Sequence, residues 1–91
     1  MLVIRRKRYL KSLKRILASG RVAVEEIDEV IDLIAEGGKL PSFYGDHPLA
    51  GELIGHHECH IRPDLLLIYK INKDAFVLQL VDIGSHSQLF G

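Results

Sequence analysis

The chain contains no tryptophan, three prolines and a single cysteine, Cys59. One cysteine excludes an internal disulfide framework and suits a reducing compartment, the cytoplasm, better than a secreted fold. No apolar run approaches the roughly 20 residues that a membrane span requires, so no membrane role is expected. Helical HExxH, paired CxxC and a glycine-rich phosphate loop are all missing, which removes the commonest metalloenzyme and nucleotide-binding signatures. Net charge is missing too, since 12 Lys and Arg balance 12 Asp and Glu. What remains is an ordinary globular composition with 47% apolar residues, enough for one modest core and a single domain over residues 1–91.

Charge is placed in blocks. Residues 1–15 carry seven basic residues and no acidic one: Arg5, Arg6, Lys7, Arg8, Lys11, Lys14 and Arg15. Residues 16–36 set Arg21 against six carboxylates, and residues 37–91 set four cations against six. A neutral chain with a basic end can still meet a polyanion, because the local field outweighs the total. The plainer alternative is a solvated helix face. The basic start lacks the apolar stretch of a secretory leader and reads as the first helix of the domain.

Leu2, Val3 and Ile4 suggest a short first strand. Tyr9, Leu10, Leu13, Ile16 and Leu17 then recur at helical spacing up to Ser19-Gly20. Val24, Ile27, Val30, Ile31 and Ile34 form the stripe of a second helix, ended by Gly37-Gly38. Residues 39–51 read as loop, broken by Pro41, Gly45, Pro48 and Gly51. Strand chemistry follows: a short run from Glu52 to Gly55, alternation from His57 to Arg62, an apolar run from Leu65 to Ile71, a turn at Asn72-Lys73-Asp74 and a partner strand from Ala75 to Val81. The expected architecture is α+β: a short N-terminal strand, an αα-hairpin, then a three- to four-stranded antiparallel sheet with the helices packed on one face.

Five histidines stand out, His47, His56, His57, His60 and His86, none in an expected helix. Imidazole titrates near neutrality and lends or takes a proton with little tuning. Strand alternation would turn His56, Glu58 and His60 one way and His57, Cys59 and Ile61 the other. Cys59 then falls on the buried side, where a thiol is inert. Asp64 follows Pro63 at a bend, where its carboxylate either orients an imidazole or makes a local turn bond. His56, Glu58 and His60 have reasonable strand spacing for a metal, but no metal or other cofactor is expected. A relay of Ser85 or Ser87 with His86 fails, because sequence neighbours on an extended chain point apart.

Taken together, DHPLAG (46–51), ECHIRPDLLLIYK (58–70) and IGSHSQLF (83–90) resemble the YafQ-like branch of the RelE/ParE toxin superfamily. The N-terminal hairpin is similar in layout and length only. The resemblance implies a compact α+β fold whose open sheet face is an RNA site. It implies ribosome-dependent, metal-independent cleavage of mRNA in the A site, by attack of the 2′-hydroxyl on the adjacent phosphate. It implies that His47, the His60 and Asp64 pair, and His86 are catalytic, with His86 the main acid or base and Phe90 placing the substrate or His86. The tail would then be a strand end anchored by buried Leu89 and Phe90. It further implies a small antitoxin partner of the DinJ/RelB type, which alone brings the protein to operator DNA. Helix 1 with its cations, together with Arg62 and Lys70, would meet mRNA and ribosomal RNA.

Two positions depart from that pattern. Asp82 stands where the family commonly has arginine, four residues before the final histidine. An anion beside a phosphodiester is unfavourable, so Arg62, Lys70 or a ribosomal group would supply the cation, or the protein is a weakened homologue acting through its antitoxin. Leu65 stands where some members have tryptophan, which removes a stacking surface.

Overall fold

Apolar periodicity decides each helix. In the computed structural model, which describes residues 1–91, Leu2–Arg5 forms strand β1, Lys7–Ala18 helix α1 and Val24–Ala35 helix α2. Helix α1 buries Tyr9, Ser12 and Ile16, and α2 buries Ile27, Val30, Ile31 and Ile34. These spacings place one stripe on one side of a helix. Leu10 and Val24, expected in the stripes, are exposed. Leu10 lies about 100° around the helix from buried Tyr9, and Val24 is the first residue of α2. Gly20 and Gly37 follow the helices with φ of 73° and 82°, the left-handed stop that glycine supplies without a Cβ penalty.

The remaining strands are β2 (His47–Pro48), β3 (His57–Arg62), β4 (Leu65–Asn72) and β5 (Val77–Gly84), and helix α3 (His86–Phe90) closes the chain. They form one five-stranded sheet in the order β1-β5-β4-β3-β2. The β2–β3–β4–β5 run is antiparallel, and β1 lies parallel to β5. The sheet is therefore mixed and larger than the antiparallel meander expected. A parallel pair needs a long connection, and everything between β1 and β5 provides it.

Three local expectations are corrected. Residues 39–51 are not all loop, because Ser42–Tyr44 makes a 3-10 turn and His47–Pro48 pairs with β3. Glu52–Gly55 is not a strand, because Gly51–Leu53 closes a 3-10 turn. The last strand runs from Val77 to Gly84, later than expected. Its entry is delayed by a turn in which the Asn72 side chain accepts from the Ala75 N–H at 3.1 Å and Phe76 adopts φ 56°.

Fourteen buried residues form the core, including Tyr9 and Ile16 of α1, the α2 stripe, Cys59, Leu65, Leu67, Tyr69, Leu78, Leu80 and Ile83. Both helices thus cover one sheet face. Leu80 and Ile83 lie three apart yet share that face, because the pairing shifts at Val81: Tyr69 opposes Leu80 while Ile68 opposes Asp82. Such a bulge inserts one extra residue and restores the alternation. Leu66 and Ile68 are buried but lie outside this cluster, on the opposite sheet face by strand alternation. No helix is long and apolar enough to cross a membrane.

Phe76 is the one non-glycine residue at positive φ, and its side chain is 59% exposed. A left-handed conformation costs an L-residue about 1–2 kcal/mol, less for asparagine. Phe76→Asn is expected to stabilise the protein by about 0.5–1 kcal/mol. The check is a higher urea midpoint at unchanged slope.

Candidate active site

The open face of β3 carries Glu58 and His60, two residues apart and so on the same side. Strand β2 sets His47 directly opposite Glu58. One carboxylate oxygen, Glu58 Oε1, lies 3.4 Å from His47 Nε2 and 3.2 Å from His60 Nε2. Glu58 is buried, while both imidazoles remain part-exposed. Two groups able to donate or accept a proton therefore share one desolvated carboxylate, at the edge of solvent. Sequence spacing suggested Glu58 only as a metal ligand; its partnership with His47 depended on β2, which had been read as loop.

What holds β2 in place lies on the other face. Asp46 Oδ2 accepts from the Tyr69 hydroxyl at 2.7 Å, and Asp46 Oδ1 lies 3.2 Å from His57 Nδ1. The His57 ring stacks on Tyr69 with centroids 5.5 Å apart. Adjacent residues of an extended strand point apart, so anchoring Asp46 inward presents His47 outward. Burial, reinforced by the bond to Asp46, pushes the Tyr69 hydroxyl well above its ordinary value, so it stays a donor.

His86 is held differently. It is not on an extended tail, as expected, but begins α3. Ser85 Oγ accepts from the Gln88 N–H at 3.2 Å, and Gln88 Oε1 accepts from the Ser85 N–H at 2.9 Å. This reciprocal cap satisfies donors that a helix start leaves orphaned. Asp64 Oδ1 accepts from the His86 backbone N–H at 3.3 Å. Asp64 thus positions His86 through the main chain and touches no imidazole. The His86 and Phe90 rings lie 5.1 Å apart. Leu89 is half-buried and Phe90 exposed, so polar capping, not apolar burial, fixes the tail. At Gly84 a Cβ would stand 2.9 Å from Gln88 Oε1, so a side chain there would push the glutamine of this cap aside.

The expected cations separate into groups. Arg62 is committed to Glu26 of α2 through Nη2 at 2.6 Å and Nε at 3.3 Å. The hydrogen bond from Arg62 holds the Glu26 carboxyl below its usual range. Arg62 is therefore no free substitute for the missing arginine. Lys70 is exposed on β4, and Arg6 donates to Gln79 Oε1 at 2.8 Å. Arg5, Lys7, Lys11, Lys14 and Arg15 are exposed along β1 and α1. Asp82 is not a bare anion: it is buried, accepts from Ser12 Oγ at 2.7 Å and pairs with Arg8 Nε at 2.9 Å.

A metal could be held by His47, Glu58 and His60, whose ligand atoms lie within 4.8 Å of one another. This replaces the His56, Glu58 and His60 set, because the His56 ring faces the Leu53 carbonyl at 3.1 Å instead. Two imidazoles and one carboxylate suit a borderline-soft transition metal by donor type.

The profile of bacterial toxins of type II toxin–antitoxin systems, YafQ, matches residues 2–91. The chain belongs to the YafQ family. The mRNA interferase toxin YafQ of Escherichia coli K12 is 42% identical over 52 residues, covering 57% of this chain and 54% of that protein. In sequence, then, the chain spans about half the length of the curated relatives it matches. Solved toxin structures match nearly end to end. A metal-bound toxin from Helicobacter pylori is 40% identical, with TM-score 0.90 and 99% of each chain covered. The toxin in the E. coli DinJ-YafQ complex is 28% identical, with TM-score 0.84 over 98% of this chain and 97% of that one.

Cys59 lies directly behind this site. Burial pushes its thiol up to about 12, with Asp46 and Glu58 adding to the rise. The thiolate is therefore negligible at pH 8, and a disulfide reagent is expected to leave native Cys59 unmodified there while labelling it fully in denaturant. Rapid native labelling would show that the core opens readily.

Proposed function

We propose that the protein is the toxin of a type II toxin–antitoxin pair and an endoribonuclease that cuts mRNA in the ribosomal A site. The observation that carries this reading is Glu58 held between His47 and His60 on the open sheet face. Cleavage within RNA needs a base for the 2′-hydroxyl and an acid for the 5′-oxygen. The 2′-oxygen gives up its proton and bonds to phosphorus, the bond from phosphorus to the 5′-oxygen breaks, and that oxygen receives a proton. The products are a 2′,3′-cyclic phosphate and a 5′-hydroxyl end, and no water is consumed.

Glu58 with its two imidazoles is suited to the base side, because a carboxylate between them stabilises an imidazolium as the proton arrives. His86, on its own element and exposed, is suited to the acid. Asp64 sets the start of α3, and Phe90 borders the His86 ring. The cations of β1 and α1 and Lys70 would contact the RNA backbone, whose charge dominates such affinities. An antitoxin of the DinJ/RelB type is the expected partner, and operator DNA is reached only through that complex. The place of action is the cytoplasm of a bacterium or archaeon. A metal at His47, Glu58 and His60 would occupy the lone pairs that proton transfer requires, so none is assigned to the reaction.

The second reading is a weakened toxin that acts by binding its antitoxin and co-repressing the operon. It rests on Asp82, whose charge is answered by Arg8.

On programmed ribosomes, His86→Ala and Glu58→Gln are each expected to lower mRNA cleavage by about 10²–10⁴-fold while folding normally. No cleavage by the unaltered protein, with antitoxin binding intact, would favour the second reading. A chelator selective for transition metals, which spares ribosomal magnesium, is expected to leave the rate unchanged. A rate restored only by zinc or copper would place a metal in the mechanism.

A further inference from the structure

A cleft of about 410 Å³ lies between α1 and α3, and Lys7, Arg8, Lys11 and Arg15 all line it. Its one carboxylate is Asp82, whose oxygens are already engaged. Oδ1 accepts from Ser12 Oγ at 2.7 Å and from the Ile83 N–H at 2.8 Å, and Oδ2 meets Arg8 Nε at 2.9 Å. Asp82 is buried; the Arg8 side chain is 75% exposed.

The ion pair, at 2.9 Å between Arg8 Nε and Asp82 Oδ2, keeps the guanidinium beside the cleft by charge. Arginine carries donors on Nε and on two coplanar NH2 groups. Held near Asp82 by charge, Arg8 stays at the cleft, and its NH2 groups face solvent on a side chain that is 75% exposed. Two such groups match two oxygens of one phosphate. Burial of Asp82 accounts for one cation beside it, but not for four along the cleft. Lys7 and Arg8 also oppose the positive end of the α1 dipole, and the first turn of the helix holds no acidic residue.

We propose that this cleft is a phosphodiester-binding site for single-stranded RNA, with Arg8 as its central ligand and Asp82 as the residue that positions it. The proposal rests on the RNA-cleaving reading and adds a site beyond the reacting groups. Gln88 also lines the cleft, and His86 opens the same short helix. A strand engaged at His86 therefore continues over α3 to place a neighbouring phosphate against Arg8.

The test is binding of a 2′-O-methyl RNA oligonucleotide, which has no free 2′-hydroxyl to react, by fluorescence anisotropy at several salt concentrations. Cleavage of mRNA on programmed ribosomes and the melting temperature are measured on the same samples. Arg8→Gln is expected to weaken binding about tenfold or more and to lower the log–log salt slope by about 0.7, one phosphate contact on a single strand. Asp82→Asn keeps an acceptor for Ser12 and the Ile83 N–H but no longer holds Arg8. It is expected to bind more weakly although it is more positive, and to add no further loss to Arg8→Gln.

Tighter binding by Asp82→Asn would show that Asp82 merely repels RNA, and would overturn the proposal. So would unchanged binding by Arg8→Gln, or no binding by the unaltered protein. The two readings fail separately. Binding that depends on Arg8 and Asp82, without cleavage on ribosomes, keeps the site and removes the nuclease. Cleavage with binding indifferent to Arg8 keeps the nuclease and removes the site.

Discussion

A strand flanked by neighbours on both sides has two faces and one register, and β4 has to bury both faces at once. Leu65, Leu67 and Tyr69 lie under the helices, while Leu66 and Ile68 form an apolar floor on the other side. The pairing sets His60 beside Leu66 and Glu58 beside Ile68. The site therefore stands on hydrocarbon, where a paired charge interacts more strongly than in water. A slip of one residue would send Glu58 into the core and Cys59 to the surface. Register, packing and site geometry are one constraint.

That constraint explains why the buried carboxylates have the partners they do. Glu58 sits between two imidazoles, and Asp82 gathers Ser12, Arg8 and a backbone N–H. A buried charge without partners is strongly unfavourable, and no buried side-chain polar atom here lacks one. A domain of this size has little surplus stability to spend on polar burial. Where local rules are nevertheless broken, with cations at the positive end of α1 and an aromatic at positive φ, the first break sits on a cleft that suits a polyanion. The second lies in an exposed turn and carries only strain.

Much of this was legible because it is periodic. The helical stripes, the alternation through HECHIR and the burial of Cys59 follow from residue spacing alone. What was not legible depended on contacts remote in sequence. The two residues of β2 become a strand only because β3 is there to pair with, so DHPLAG read as loop and Glu58 lost its second partner. The tail GSHSQLF carried a helix signal, serine with glutamine three residues later, yet five residues are too few to show an apolar period. Asp82 looked like a lone anion, because its neutralising arginine lies 74 positions earlier in the sequence and reaches it only through the parallel placement of β1 and the docking of α1 on β5.

The proton-transfer groups are consequently held with unequal firmness. His47, Glu58 and His60 sit on paired strands over a packed floor, and moving them would break sheet hydrogen bonds and the core together. His86 depends on a one-turn helix fixed by a serine–glutamine cap and one bond to Asp64, with only Ser85 of these residues part-buried. Elements with few buried contacts occupy the low-stability end of a fold and open first. A substrate that touches the sheet face, α3 and the α1 cleft together would close that difference, by binding the tail from both sides. On this view the precision of the acid group is completed by RNA, and the rigid half of the site is what the fold alone provides.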